Sequence, residues 1–192
     1  AEVVRDGVDG LLVPPADPGA LAAAIERMAR EPDTRARVAA AGRRTYEERF
    51  TGEQMVRQTE ALHRLALAGR ADLAALGRVK VLFVIGQLGY GGAERQLVEL
   101  SSRLPRDRFE PVVCVLSERG ALTDELEAAG VRVICLNKRR GVLSAATSTL
   151  VGLVRRERPA VVHSYLFSGN WRGLVAGRLT RVPLLVSSFR NV

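Results

Sequence analysis

The chain has 192 residues with 29 basic and 21 acidic side chains, and 47% of its residues are hydrophobic. This composition is that of a globular protein with one large domain or one and a half small ones, and it excludes a disordered chain. The sequence has no apolar run near the ~20 residues that span a bilayer and no basic stretch followed by an apolar one at its start, so we expect no secretory signal and a cytoplasmic location.

The net charge of +8 comes entirely from the second part of the chain. Residues 1–77 hold 11 arginines and 12 acidic residues, so the whole basic excess lies in residues 78–192. Aromatic residues, which proteins use as stacking platforms for single-stranded nucleic acids, make up only 5% of the chain. We therefore expect no nucleic-acid partner, and we expect an anionic membrane surface or phosphate-bearing substrates instead.

The first 65 residues predict one strand and three helices. A glycine-bracketed turn at 7–10 leads into the apolar run 11–13, which predicts a short buried strand. Asp17 followed by Pro18 is the signature of a helix N-cap and of the first helical position. Residues 51–54 (TGEQ) have the pattern of a capping box, which predicts the start of the third helix.

Residues 66–78 are rich in Ala, Gly and Arg and predict a linker, after which strands and helices alternate. The first strand, 79–85, is a near-continuous apolar run, as parallel strands covered on both faces have. Further strands are predicted at 111–116, 131–136, 160–164 and 184–187, and helices at 93–104, 122–129, 142–156 and 171–179. This alternation predicts a Rossmann-like parallel sheet with right-handed crossovers and the strand order 3-2-1-4-5.

A glycine loop at 86–92 (GQLGYGG) lies between the first strand of this sheet and the following helix, where α/β proteins bind anions. Gly91 and Gly92 allow the backbone to approach a phosphate, and Ala93 and Glu94 place their N–H groups at a helix N-terminus. The spacing is neither G-x-G-x-x-G nor that of a P-loop, so a dinucleotide cofactor is disfavoured. A glycine turn that only tightens strand–helix packing is the alternative.

The chain resembles family 4 of the retaining, nucleotide-sugar-dependent glycosyltransferases, which have the GT-B fold. The opening of their N-terminal domain is similar to the stretch VKVLFVIGQLGYGGAERQLVELSSRL, in which GGAE is the specific part. HSYLFSGNWRGLVAGRLTRVPLLVSSFRNV resembles the later part of that domain. AEVVRDGVDGLLVPPADPGALAAAI and ERFTGEQMVRQTEALHRL resemble the close of the C-terminal domain. The resemblance implies an α/β chain with a partial GT-B fold. In this interpretation the mostly helical segment 1–65 is the end of a C-terminal, donor-side domain, and 66–78 form a linker. Residues 79–192 then form a truncated N-terminal, acceptor-side domain.

The chain therefore has the tail of one domain before the head of another. A window on two fused transferases, a circular permutation and misjoined reading frames all account for this order. The family's E-x7-E stretch, its basic pair and its glycine-rich turn would all precede residue 1. We therefore expect these 192 residues alone to transfer no sugar, and residues 1–65 to form no independent domain. The helix that starts at Thr51 is expected to dock on the second segment, as its counterpart does in the family.

The resemblance also implies site residues. Gly91, Gly92, Ala93 and Glu94 would border the donor phosphates and the acceptor. His163, at the predicted end of the fourth strand, is the candidate catalytic residue; a structural histidine is the alternative, and His63 is expected to be structural. Candidates for binding the acceptor or an anionic headgroup are Lys138, Arg139, Arg140, Asn170 and Arg190. A solvated charge run at 138–140 and a helix cap at Asn170 are the alternatives, and many relatives carry a histidine where this chain has Arg190.

The activity that the resemblance implies is glycan biosynthesis by transfer of a sugar from a UDP- or GDP-sugar to a glycan or lipid-linked acceptor, with retention. The nucleotide sugar is a substrate, so no cofactor is expected, and catalysis would rest on stabilising the leaving diphosphate. The sequence has no cluster of potential ligands with metal-binding spacing, so no metal is expected. A non-catalytic Rossmann-like module that binds a phosphorylated ligand or a partner chain is the alternative. The location implied is cytoplasmic, peripheral to the inner membrane face.

Overall fold

The computed structural model describes residues 3–68, 77–137 and 143–189, without the side chains of 143 and 144. The chain forms two compact units, residues 1–55 and 56–192. This division falls within the third helix, ten residues before the linker that the sequence predicts. The predicted linker begins with the last turn of that helix, and its residues 69–76 lie outside the described residues. The assignment of donor-side and acceptor-side domains stays a prediction.

The first unit consists of α1 (Pro18–Arg30), α2 (Pro32–Arg49) and the start of α3 (Gly52–Ala68). The side chain of Asp17 accepts a hydrogen bond of 2.9 Å from Ala20 N–H, which confirms the predicted N-cap. The predicted strand at 11–13 is wrong, because these residues have no regular structure. An apolar triplet forms a strand only where a neighbouring strand completes its hydrogen-bond ladder, and the described part of this unit has none.

The predicted turn at 7–10 is present and is fixed to α2 through Asp9. Gly7 has a φ of +68°, which glycine adopts without strain. The Asp9 carboxylate accepts a 2.6 Å hydrogen bond from Arg5 N–H and a 2.9 Å bond from the Thr45 hydroxyl of α2. The hydrogen bonds from Arg5 are the main reason that the pKa of Asp9 falls to about 2.

The predicted capping box at the start of α3 is half formed. Thr51 Oγ1 accepts a 3.3 Å hydrogen bond from Gln54 N–H, as the box requires. The Gln54 amide points back along the chain and donates to the carbonyl oxygen of Glu48 near the end of α2. The glutamine therefore satisfies a carbonyl of the preceding helix, which a capping-box pattern in sequence does not reveal.

The second unit has an α/β, Rossmann-like fold, which confirms the predicted fold class. Its strands are β1 (Val79–Ile85), β2 (Phe109–Val115), β3 (Arg132–Cys135), β4 (Val161–Tyr165) and β5 (Leu184–Ser188). All neighbouring strands are parallel, and their order β3-β2-β1-β4-β5 is the one predicted. The connecting helices are α4 (Gly92–Arg103), α5 (Thr123–Ala128), α6 (Leu143–Glu157) and α7 (Leu166–Leu179).

The sheet is apolar on both faces, as the continuous apolar run of β1 predicts. On one face, Leu82 and Val84 of β1 belong to a buried cluster with Leu150 of α6 and Ala176 of α7. Alternate residues of a strand point to opposite faces, and the ring of Phe83 on the other face contacts those of β4. α3 contributes to this second face, where its residues from 56 onward belong to the second unit. The expected docking of this helix is therefore confirmed.

α7 starts five residues before the predicted Trp171. Tyr165 ends β4 in an extended conformation, and Leu166 then takes a φ of +59°, so the strand passes directly into the helix. Gly169 and Gly173 follow one turn apart and allow the helix to lie against the sheet. Glycines disfavour helix in propensity scales, which explains why the sequence predicts too short a helix here.

Glu157, the last residue of α6, forms ion pairs at the amino ends of two strands, and one of its partners pairs with a third strand. Its carboxylate is 7% exposed and forms ion pairs with Arg132 of β3 and, at 3.3 Å, with Lys80 of β1. Lys80 also pairs with Glu110 of β2 at 3.2 Å. Hydrogen bonding from Arg132, more than that from Lys80, holds the pKa of Glu157 below its usual value.

We expect Glu157→Gln to lower the free energy of unfolding near neutral pH, because an amide does not neutralise the charges of Arg132 and Lys80. The loss should be only about 1–2 kcal/mol, since Arg132 is half exposed and water screens its charge. A carboxyl group with a depressed folded-state pKa stabilises the protein above its unfolded pKa, and this contribution is lost as the pH falls through the folded pKa. The difference between variant and wild type should therefore shrink in acid. Urea denaturation at about pH 7 and about pH 3 measures both effects.

The matched control is Glu118→Gln, which changes an exposed glutamate in the loop after β2. We expect the control to unfold at the wild-type urea concentration. A Glu157→Gln variant with the stability of this control near neutral pH would contradict the role given to Glu157.

Candidate functional site

The candidate site is the carboxyl edge of the sheet, where β1 and β4 lie side by side and the strand order reverses. Open α/β sheets bind ligands at this switch point. Gly86 follows β1 and Ser168 follows β4, and a Cβ on Gly86 would lie 2.3 Å from Ser168 Oγ. The missing side chain at Gly86 therefore makes room for the Ser168 hydroxyl at the edge.

The glycine loop that follows β1 is held in a fixed position from the side of β2. The side chain of Leu88 is fully buried, and its carbonyl oxygen accepts a 3.3 Å hydrogen bond from Leu122 N–H. A Cβ on Gly120 would lie 2.1 Å from that carbonyl oxygen, so only glycine allows this approach. The exposed tip of the loop is Tyr90, whose side chain is 83% exposed. The loop therefore presents an aromatic ring on a rigid support.

The N-terminus of α4 already has a carboxylate against it. Gly91 is the N-cap, and Gly92 and the buried Ala93 begin the helix. Glu94 is buried as well, and a Cβ on Gly91 would lie 2.3 Å from Glu94 Oε2, so this carboxylate folds back over the helix start. It interacts favourably with the helix dipole and stands where a phosphate would bind. The arrangement suits a hydroxyl better than a second anion, and the predicted contact with donor phosphates stays a prediction.

His163 lies in the middle of β4, since this strand extends to Tyr165. The His163 side chain is buried, and its Nε2 is 3.0 Å from Ser188 Oγ of β5. The ring stacks on Tyr165 at a centroid distance of 4.7 Å and contacts Phe83 at 5.5 Å. These contacts give His163 a packing role, and its catalytic role stays a prediction.

The structure pairs His163 with His63 of α3, a contact that the sequence does not predict. The two rings meet edge to face with centroids 5.4 Å apart. His63 is fully buried, and neither of its ring nitrogens has a hydrogen-bond partner among the described residues. Burial lowers the pKa of His63 to about 4, so the ring is neutral at physiological pH. The two histidines stand 100 positions apart, and nothing in the sequence connects them.

Asn170 belongs to the same edge but does not cap a helix. It lies within α7, and its Nδ2 donates a 3.0 Å hydrogen bond to the carbonyl oxygen of Ser188. This bond ties the start of α7 to the end of β5, so the helix-cap alternative is wrong. The other residues proposed to bind an acceptor or headgroup, Lys138, Arg139, Arg140 and Arg190, lie outside the described residues.

In the described ranges, no three His, Cys, Asp or Glu side chains come together as a metal site would require. Among the same residues, no helix combines the length and the hydrophobicity needed to cross a membrane.

The comparison with protein families matches residues 90–189 to Glycosyltransferase Family 4, which is more than half of the chain. The chain belongs to Glycosyltransferase Family 4. The match begins in the glycine loop at Tyr90 and ends directly after β5, so it includes Tyr90, Glu94 and Ser168 of the candidate site but not β1 or Gly86. The family to which this chain belongs is thus one of glycosyltransferases.

Several solved structures are similar to this Family 4 chain at low identity. The C-terminal domain of a hydrogenase from Pyrococcus furiosus is 16% identical with a TM-score of 0.43, over 57% of this chain and 91% of that domain. A UDP-GlcNAc 2-epimerase from Neisseria meningitidis is 14% identical with a TM-score of 0.39, over 55% of this chain and 30% of the epimerase. Another UDP-N-acetylglucosamine 2-epimerase is 18% identical with a TM-score of 0.41, over 59% of this chain and 33% of that epimerase. The chain thus spans about a third of these epimerases. No curated protein matches it.

Proposed function

We propose that the second unit presents the acceptor in the transfer of a sugar from a UDP- or GDP-sugar with retained configuration. The observation that carries this proposal is the Family 4 match over 90–189, which includes Tyr90, Glu94 and Ser168 of the candidate site. In the reaction, the bond between sugar C1 and the diphosphate oxygen breaks, and a bond from C1 to the acceptor oxygen forms on the same face of the sugar. The proton of the acceptor hydroxyl passes to the leaving diphosphate.

The polar groups at the edge support an acceptor role. The Glu94 carboxylate accepts hydrogen bonds and repels a diphosphate, whereas the Ser168 hydroxyl both donates and accepts. The exposed ring of Tyr90 offers an apolar face to a sugar or to a lipid carrier. We infer that the acceptor binds here and that the donor nucleotide binds mainly to a donor-side domain, as the family resemblance implies.

The remaining parts of the proposal concern partners and location. The basic residues Lys138, Arg139, Arg140 and Arg190 would contact an acceptor phosphate or an anionic headgroup. The nucleotide sugar is the only small molecule that the reaction needs besides the acceptor. Cytoplasmic nucleotide sugars and a lipid-linked acceptor would place the protein at the inner membrane face.

The test is a transfer assay on these residues together with the sequence that flanks them in their gene. We expect labelled sugar from a UDP- or GDP-sugar to appear in a glycan or lipid-linked product. Glu94→Gln should lower kcat/KM by roughly tenfold or more if the carboxylate orients the acceptor hydroxyl. Glu99→Gln is the matched control, because Glu99 lies on the same helix and pairs with Arg103 at 2.7 Å.

Three outcomes would contradict parts of the proposal. An inverted anomeric configuration in the product, read by NMR, would exclude retention. Nucleotide binding without transfer to any acceptor would favour the non-catalytic module. Equal activity of the Glu94→Gln and Glu99→Gln variants would remove Glu94 from the acceptor site. The 192-residue chain alone is expected to show no transfer, so its turnover would contradict that expectation.

A further inference from the structure

A cluster of arginines lies at the amino ends of β4 and β5, on the opposite edge of the sheet from the candidate site. Arg155, Arg158 and Arg181 line a pocket of about 510 Å³ there. No acidic side chain in the described part of the chain pairs with these three arginines. Glu157 is adjacent in sequence, but its carboxylate binds Arg132 and Lys80 at the sheet. The pocket therefore carries uncompensated positive charge.

An apolar groove adjoins this pocket. It lies between α6 and α7, has a volume of about 620 Å³, and is lined by Val151, Trp171, Val175 and Leu179. Leu179 is 63% exposed. Arg155 lines the groove as well as the basic pocket, so the two form one continuous surface, apolar at one end and cationic at the other.

We propose that this surface, formed by the groove and the arginine pocket, docks on a membrane that contains anionic phospholipids. The three guanidinium groups bind lipid phosphates, to which arginine donates paired hydrogen bonds. Trp171 and Leu179 enter the interfacial region, where tryptophan is enriched and apolar side chains gain from burial. A soluble phosphate would use the arginines but not the groove, so the combination favours a lipid surface.

The proposal goes beyond sugar transfer and does not depend on it. The surface is formed by the facing sides of α6 and α7 and by the residues that precede β4 and β5. The arginine pocket lies at the edge opposite the candidate acceptor site, whereas the groove runs from this pocket along α6 and α7 as far as Trp171, which is next to Asn170 in the chain. Binding to vesicles is measured without any turnover, so failure of one proposal is distinguishable from failure of the other.

The experiment combines vesicle flotation with the fluorescence of Trp171, the one tryptophan in the sequence. The 192-residue chain should float with phosphatidylcholine vesicles that contain about 30% phosphatidylglycerol, and not with pure phosphatidylcholine. On binding, the emission of Trp171 should shift to shorter wavelength and be quenched by brominated acyl chains. Glycerol phosphate in solution, which supplies the phosphate without hydrocarbon, should leave the emission unchanged.

Charge-reversal variants test whether vesicle binding depends on these particular arginines or on the net positive charge of the chain. Arg155→Glu/Arg181→Glu should weaken vesicle binding by roughly tenfold or more. Arg44→Glu/Arg57→Glu is the matched control with the same change in charge at two exposed arginines of α2 and α3, and it should retain most of the binding. If the first variant fails to fold by circular dichroism, Arg155→Gln/Arg181→Gln gives the same comparison with a smaller change.

Leu179→Ser tests the apolar end, and because this side chain is exposed the variant should fold normally. It should reduce both flotation and the shift in Trp171 emission. Equal loss of binding in the two charge-reversed variants would overturn the proposal, because net charge alone would then explain binding. Flotation with unchanged Trp171 emission would also overturn it, and so would a response of Trp171 to glycerol phosphate equal to that with vesicles.

Discussion

Gly169→Ala is expected to lower the free energy of unfolding by about 2–3 kcal/mol, at the upper end of the usual cost of overpacking a core. A Cβ at this position would lie 2.7 Å from the carbonyl oxygen of Val84 and 3.3 Å from the Cα of Ile85. Both are backbone atoms of the central strand, so neither moves aside as the tip of a side chain would. The helix would have to lift from the sheet at the switch point. Urea denaturation followed by circular dichroism measures the loss.

Gly152→Ala on α6 is the matched control for this substitution. Gly152 is also helical, but it is exposed and a Cβ there would have no atom within 4 Å. Alanine favours helix over glycine by about 0.5–1 kcal/mol, so this variant should be more stable than the wild type. The two alanine substitutions should therefore change the free energy of unfolding in opposite directions. A Gly169→Ala variant that gains stability as Gly152→Ala does would show that α7 is not held against β1 as described.

Acid should destabilise the second unit through His63, by about 3 kcal/mol between about pH 6.5 and about pH 4. The folded-state pKa of His63 is about 4, because burial disfavours the charged ring. Above the unfolded value of about 6.5 the ring is neutral in both states and contributes nothing to pH dependence. Below it, only the unfolded state binds the proton, so the free energy of unfolding falls until the pH reaches the folded pKa.

The measurement compares the wild type with His63→Leu, which removes the titrating group and keeps an apolar side chain in the site. The free energy of unfolding of the variant should depend less on pH between about 4 and 6.5. Ionisable groups that do not contact His63 are present in both proteins, so their contributions cancel in the comparison. Parallel pH profiles of the two proteins would contradict the neutral, buried state of His63. NMR titration of the His63 ring gives an independent value of its pKa.

The parts of the fold that sequence predicted well depend on short-range physics. The apolar run at 79–85 is a central strand, because a parallel strand covered on both faces has no place for polar residues. The N-cap at Asp17 formed because capping needs only residues within one turn. The strand order followed from the alternation of strands and helices together with the right-handed crossover rule. The glycine loop between the first strand and the following helix likewise predicted that the candidate site lies at the carboxyl end of β1.

Other features were decided by tertiary contacts that local patterns do not contain. Residues 11–13 have the composition of a strand, but the described residues offer no neighbouring strand to complete its hydrogen bonds. Gly169 lies in a helix because its small size fits the sheet, and this fit outweighs its low helix propensity. Sequence by itself thus determined the fold class, the strand order and the family of this protein. Only the tertiary structure brought His63 to His163 and joined the apolar groove to the arginine pocket, because these contacts connect residues from separate elements of the chain.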